Sequence, residues 1–309
     1  MKAVAGPAGG LTGTVAGPAG HPFDWHLHVV WLLAFVAALV AYGWTTRRPG
    51  MEATGRQRLL FVGGLLVLLL AVTWPLGDLA AHWLLMALVL QRVLLTLAVP
   101  PLLVLGMPRA LIARLTRPAA VDALLRVVVR PLPAVAIVTV VAVATLTTGV
   151  VSLAARSEAA RVVIELIVLA SGFVLWAPVL TELPGAPRLS PLGRGGYLIV
   201  QSIVPSFLSI VWIFARHSLY PPFTHAGKVI GMTSLLDQQL AGFLAKLSTI
   251  AVLWTVAFVI MTRPSAVDAG GRDAEPLIWS DVEREIERAD RRERRHGWPG
   301  PPPAPPAAG

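Results

Sequence analysis

No cysteine occurs in the 309 residues, which excludes disulfides, thiolate metal sites and Cys-x-x-Cys redox chemistry. Charge is scarce too: Asp, Glu, Lys and Arg make up 14% of the chain, against 55% hydrophobic residues. A soluble domain does not need that balance. The chain also lacks a nucleophile beside a base, a phosphate-binding glycine loop and paired catalytic carboxylates, so we read it as a non-enzyme. Residues 1–20 are Gly, Ala and Pro with only Lys2 charged. They have neither the basic start nor the continuous apolar run of a cleavable signal peptide. We expect them to be retained, with the first span acting as its own insertion signal.

What is present is apolar sequence in membrane-crossing lengths. Seven runs, at 27–44, 59–76, 83–105, 132–151, 162–180, 197–215 and 240–261, each hold about 17–23 residues. The fold class expected is therefore all-α: a polytopic membrane protein built as a seven-transmembrane-helix bundle. Residues 1–24 are expected to form a flexible outer segment, 25–262 the membrane domain and 263–309 a cytoplasmic tail. In that tail Ser280 and Glu283 have capping-box spacing ahead of a charged helix, and the proline-rich end should be extended.

Basic residues orient the bundle. The first, third and fifth connections and the C-terminal tail hold 19 of the 26 Lys and Arg residues. The positive-inside rule then puts the N-terminus outside and the C-terminus in the cytoplasm of a cell (plasma) membrane. The net charge of +9 follows from this arrangement, with membrane lipids as partners and no nucleic acid implied.

Two sets of residues offer chemistry. Six of the seven histidines, His21, His26, His28, His82, His217 and His225, fall on the outer side. With Met86, read as one turn below His82, the set His26, His28, His82, His217 and His225 is a candidate copper site of imidazole and thioether donors. Histidines at a membrane interface are also ordinary, and no tight ligand spacing distinguishes these. The second set lies inside the spans: Gln91, Arg92, Glu165, Gln201 and Lys246. Charges there are costly facing lipid, so Glu165 is expected to pair with Arg92 or Lys246, helped by Gln91 and Gln201. The pair can fix helix register, or the charges can line a solute or ion path.

Several motifs extend beyond composition. Gln91-Arg92-Val93-Leu94-Leu95 leads to Ala98-Val99-Pro100-Pro101-Leu102-Leu103-Val104-Leu105-Gly106. Leu236-Asp237-Gln238-Gln239-Leu240-Ala241-Gly242 opens the last span, and Trp176-Ala177-Pro178-Val179-Leu180 and Tyr220-Pro221-Pro222-Phe223 lie between. Together they resemble the CtaG family of cytochrome c oxidase assembly proteins, with Pro100, Pro101, Asp237, Gln238, Gln239 and Gly242 as motif residues. The resemblance implies seven spans, a copper-related role in maturing a respiratory haem–copper oxidase and an oxidase subunit as partner. It also implies His-x-x-Gln-His in span three, where this chain has Leu88, Gln91 and Arg92. In span five a His-x3-His pair is replaced by Arg161 and Glu165, and a Met-Trp pair in the last span by Ala245 and Lys246. The resemblance thus points to an assembly or copper-handling factor that has lost its intramembrane metal site. A small-solute or ion permease using Arg92, Glu165 and Lys246, and a metal-free scaffold for a membrane partner, are the alternatives.

The charge map has a direct test. Reporter fusions at Gly309 and within 224–227 should report opposite sides of the membrane, and equal sidedness would overturn the orientation.

Overall fold

In a computed structural model of the chain, residues 28–180, 189–224, 229 and 231–262 are described, and every regular element among them is a helix. The expected N-terminal segment 1–24, the tail 263–309 and the capping box at Ser280 lie outside the described residues. The helices are α1 (Val29–Thr45), α2 (Gly55–Val72), α3 (Leu76–His82), α4 (Leu85–Val93), a π turn (Leu94–Ala98) and α5 (Val99–Leu105). There follow α6 (Arg109–Leu115), α7 (Ala119–Val128), α8 (Pro131–Thr145), α9 (Thr148–Arg156), α10 (Glu158–Trp176) and α11 (Pro191–Ile213). A 3-10 turn (Pro221–Phe223) and the long α12 (Ser234–Thr262) complete them.

Five stretches are long and apolar enough to cross a membrane: Gly55–His82, Leu85–Leu105, Glu158–Trp176, Pro191–Ile213 and Ser234–Thr262. Helices α7 and α8 make a sixth if counted as one span, bent by 94°, and α1 is a shorter apolar helix of 17 residues. Large apolar side chains point outward along these helices, with Leu33 and Val40 each 65%, Phe258 68% and Phe207 67% exposed. An apolar surface this extensive marks the chain as a membrane protein.

Local chemistry sets several helix ends. Thr54 and Gln57 close a capping box at the start of α2, and Ser157 and Ser190 accept from Ala160 N–H and Gly193 N–H at α10 and α11. Two ends differ from the sequence reading. Residues 132–151 do not form one helix, because α8 stops at Thr145 and α9 starts at Thr148. His82 closes α3 instead of opening the third span, and the backbone at Leu84 is extended. His82 and Met86 therefore do not share a helix.

The break before α4 leaves its first N–H groups needing acceptors, and Asp237 of α12 supplies them. Leu85 N–H donates to Asp237 Oδ2 at 2.7 Å and Met86 N–H to Oδ1 at 3.1 Å. The carboxylate also meets the positive end of the α4 dipole. Its neighbours extend the joint: Gln238 Oε1 accepts from Leu219 N–H at 2.8 Å, and Gln239 Nε2 donates to the Ala215 carbonyl at 3.4 Å. At Gly242 a Cβ would sit 2.9 Å from the Ser209 carbonyl oxygen, so a side chain there would force α11 and α12 apart. The motif that opens the last span is thus a joint between α12, α11 and the head of α4.

Pro100 is accommodated within the Leu85–Leu105 stretch by a similar exchange. Pro100 has no N–H to give the Thr96 carbonyl four residues earlier. The Trp176 indole N–H donates to that oxygen instead, at 3.0 Å. Close approach of α10 makes this contact possible: a Cβ on Gly172 would lie 2.8 Å from the Leu95 carbonyl oxygen and from the Pro100 ring. The chain's three tyrosines play comparable parts, with Tyr42, Tyr197 and Tyr220 donating to the carbonyls of Gly106, Leu175 and Leu146 at 2.9, 2.8 and 2.7 Å.

Asp237→Ala strips one buried and one part-buried N–H group of their acceptor and should destabilise the protein by about 2–4 kcal/mol. Asp237→Asn keeps one acceptor and should cost roughly half as much. Unfolding in mild detergent with added denaturant measures both, and equal stability of all three proteins would rule the cap out.

Candidate functional site

Helices α4 and α10 bring together the polar residues buried inside the bundle. Gln91 is 3% and Glu165 5% exposed, and Gln91 Nε2 donates to Glu165 Oε1 at 2.9 Å. Glu165 Oε2 has no hydrogen-bond partner among the described residues. Arg161 lies one turn earlier on α10, its guanidinium 3.8 Å from Glu158. Leu88, Gln91, Arg92, Arg161 and Glu165 all border one cavity of about 20 Å³. That volume is close to a single water's.

The expected pairing of Glu165 with Arg92 or Lys246 is not what forms. Arg92 turns to the end of α8, donating through one terminal nitrogen to Thr145 Oγ1 at 2.6 Å and through the other to the Thr145 carbonyl at 3.1 Å. Adjacent residues point about 100° apart on a helix, so Gln91 faces α10 and Arg92 faces α8. The guanidinium fork also suits a helix C-terminus, where carbonyls are unsatisfied and the dipole is negative. Tyr220 completes this cap through the Leu146 carbonyl, and burial raises its phenol above the ordinary pKa, keeping the donor protonated. Lys246 is half-buried on α12 and makes no ion pair among the described residues. Gln201, 4% exposed, borders a second and larger cavity.

The rim histidines are only partly described. His21, His26 and His225 lie outside the described residues. His28 is 8% exposed and its Nε2 is 3.0 Å from Asp78 Oδ1. His82 and Met86 are half-buried and His217 is exposed. No three His, Asp or Glu groups converge as a metal site among the described residues. Asp78 and Thr145 were missed from the sequence. Their partners lie 50 and 53 positions away, and no local pattern announces either contact.

Residues 34–265 match the family described as the cytochrome c oxidase caa3 assembly factor (Caa3_CtaG). The chain belongs to that family. No curated protein and no solved structure matches it. In this Caa3_CtaG chain, the places where the resemblance expects four imidazoles hold Leu88, Arg92, Arg161 and Glu165, and all four border the small cavity. Its motif residues Asp237, Gln238, Gln239 and Gly242, by contrast, form the joint at the head of α4.

A double-mutant cycle separates these contacts. Arg92→Leu with Thr145→Val should show a coupling of about 1–3 kcal/mol in unfolding free energy, larger than that of Arg92→Leu with Glu165→Gln. The reverse order would restore the Arg92–Glu165 pair.

Proposed function

We propose that this chain is a seven-span assembly factor for a respiratory haem–copper oxidase in the plasma membrane, acting without turnover, with its intramembrane metal position replaced by fixed protein charge. The convergence of Leu88, Gln91, Arg92, Arg161 and Glu165 on one water-sized cavity carries this reading. Guanidinium groups have no lone pair to offer a metal, and the one carboxylate is engaged by Gln91. Such a donor set does not fit a soft cation. Two arginines opposite a carboxylate supply positive charge where a metal would have done so, allowing the helices to keep their packing.

The seven spans combine the five long helices with α1 and α8. The arginine distribution orients them with the N-terminus outside. Copper handling then falls to the outer histidines, with His26, His82 and His217 as imidazole donors and Met86 as the soft ligand. An oxidase subunit meets the protein on this same oxidising side.

Copper content of purified, copper-loaded protein tests the assignment. Metal should be retained above background by the parent and by Glu165→Gln, and lost with His26→Ala, His82→Ala and His217→Ala combined. Copper that follows Glu165 would return the site to the interior, and none in the parent would make the protein a metal-free scaffold. Deletion of the gene should lower oxidase activity, and purified protein in vesicles should pass no solute. Flux that depends on Arg92 and Glu165 would favour a permease.

A further inference from the structure

The connection between α5 and α8 has no part in the oxidase reading, from which it takes only that α8 crosses the bilayer. Residues 109–130 hold five arginines, Arg109, Arg114, Arg117, Arg126 and Arg130, against one carboxylate, Asp122. All five arginines are exposed. Asp122 is already paired with Arg126 one turn on, and the other four arginines form no ion pair among the described residues. The stretch is also tied down. Leu111 and Ile112 of α6, with Val128 and Val129 at the end of α7, are buried against the bundle, so the arginines sit on a fixed surface.

Helix α7 joins that charge to an open apolar flank. Leu124 is 61% and Val127 49% exposed, and at about 100° per residue they fall, with Ala120, within about 60° of one another. Asp122 and Arg126 lie on the far side of the helix, and Val128 and Leu125 face the bundle between the two. The axis of α7 turns through 94° from that of α8. With α8 across the membrane, α7 therefore runs along its surface, as an interfacial amphipathic helix does.

We propose that α6 and α7 form a docking surface for anionic phospholipids, with Leu124 and Val127 entering the acyl boundary and Arg109, Arg114, Arg117 and Arg130 binding headgroup phosphates. Guanidinium groups take phosphate oxygens two at a time, and a headgroup layer of negative charge attracts each arginine held near it. A nucleic acid would answer the charge and leave the apolar flank open. An acidic protein could answer both, but Arg130 caps the start of α8 where that helix enters the bilayer, so lipid headgroups already surround the site.

The chain has no cysteine, so Leu124→Cys gives a single position for a nitroxide label. The full chain is reconstituted in vesicles of phosphatidylcholine, alone or with phosphatidylglycerol added. In the mixed vesicles the label should be reached by oxygen and shielded from a water-soluble nickel chelate. With unlabelled protein, spin-labelled phosphatidylglycerol should be held at the protein about fivefold more strongly than spin-labelled phosphatidylcholine, the attraction of one arginine at an anionic surface. Arg109→Gln, Arg114→Gln, Arg117→Gln and Arg130→Gln combined should remove most of that preference, and lysine at the same four positions should restore it. Arg47→Gln, Arg48→Gln, Arg56→Gln and Arg58→Gln combined, which remove the same total charge from the connection between α1 and α2, should leave most of it. Arg114→Gln with Arg117→Gln is the smaller variant should the fourfold one fail to fold, and it should lower the preference too. A label open to the nickel chelate in both kinds of vesicle would overturn the proposal and leave the surface to an acidic protein. Spin–spin broadening from a second copy of the chain on the flank, or an equal loss of preference from the two sets of arginines, would overturn it as well. None of these measurements depends on copper content or oxidase activity, so this proposal and the oxidase reading can fail separately.

Discussion

The Asp237 carboxylate, held between two backbone N–H groups of α4, is the contact on which the interior arrangement depends. It connects the start of the last long helix to the start of the helix carrying Gln91 and Arg92, across about 150 residues of sequence. Once the head of α4 is anchored, the rotation of that helix sets which neighbour each side chain meets. Gln91 reaches α10 and Arg92 reaches α8. The polar chemistry of the bundle thus descends from a helix cap.

The same requirement recurs wherever a helix is interrupted. Inside a bilayer no water is at hand for a carbonyl released by a proline or a helix end, so a side chain must take its place. Trp176 does this for the carbonyl released by Pro100, Arg92 and Tyr220 for the end of α8, and Tyr42 and Tyr197 for the ends of α5 and α10. Aromatic and basic residues that look in sequence like interface anchors or ion-path residues are here donors to broken backbone. Glycines at 172 and 242 let the donor-bearing helices come close enough.

Arg92 and Glu165 then divide the interior electrostatics between two sites. Glu165 is held by an amide and has Arg161 and Arg92 beside the same small cavity. Arg92 borders both cavities and has its charge answered by a helix terminus. A cation satisfied by carbonyls and a carboxylate satisfied by an amide can lie near each other without forming an ion pair. Each is desolvated at lower cost by hydrogen bonds of its own.

The sequence by itself determined that this is a helical membrane protein of one family, because bilayer thickness imposes the length of each apolar run and short motifs such as Asp237 to Gly242 survive as residues. It also made Gln91 and Glu165 legible as buried polar groups, since charge and amide are expensive in a span. Only the tertiary structure decided their partners. Whether Glu165 meets Arg92, Lys246 or Gln91 depends on helix rotation and on where α8 ends, and a change of one residue along a helix turns a side chain by about 100°. The His28–Asp78 and Arg92–Thr145 contacts lay beyond sequence reasoning for the same reason: they join separate helices, and no local spacing encodes which helix faces will meet.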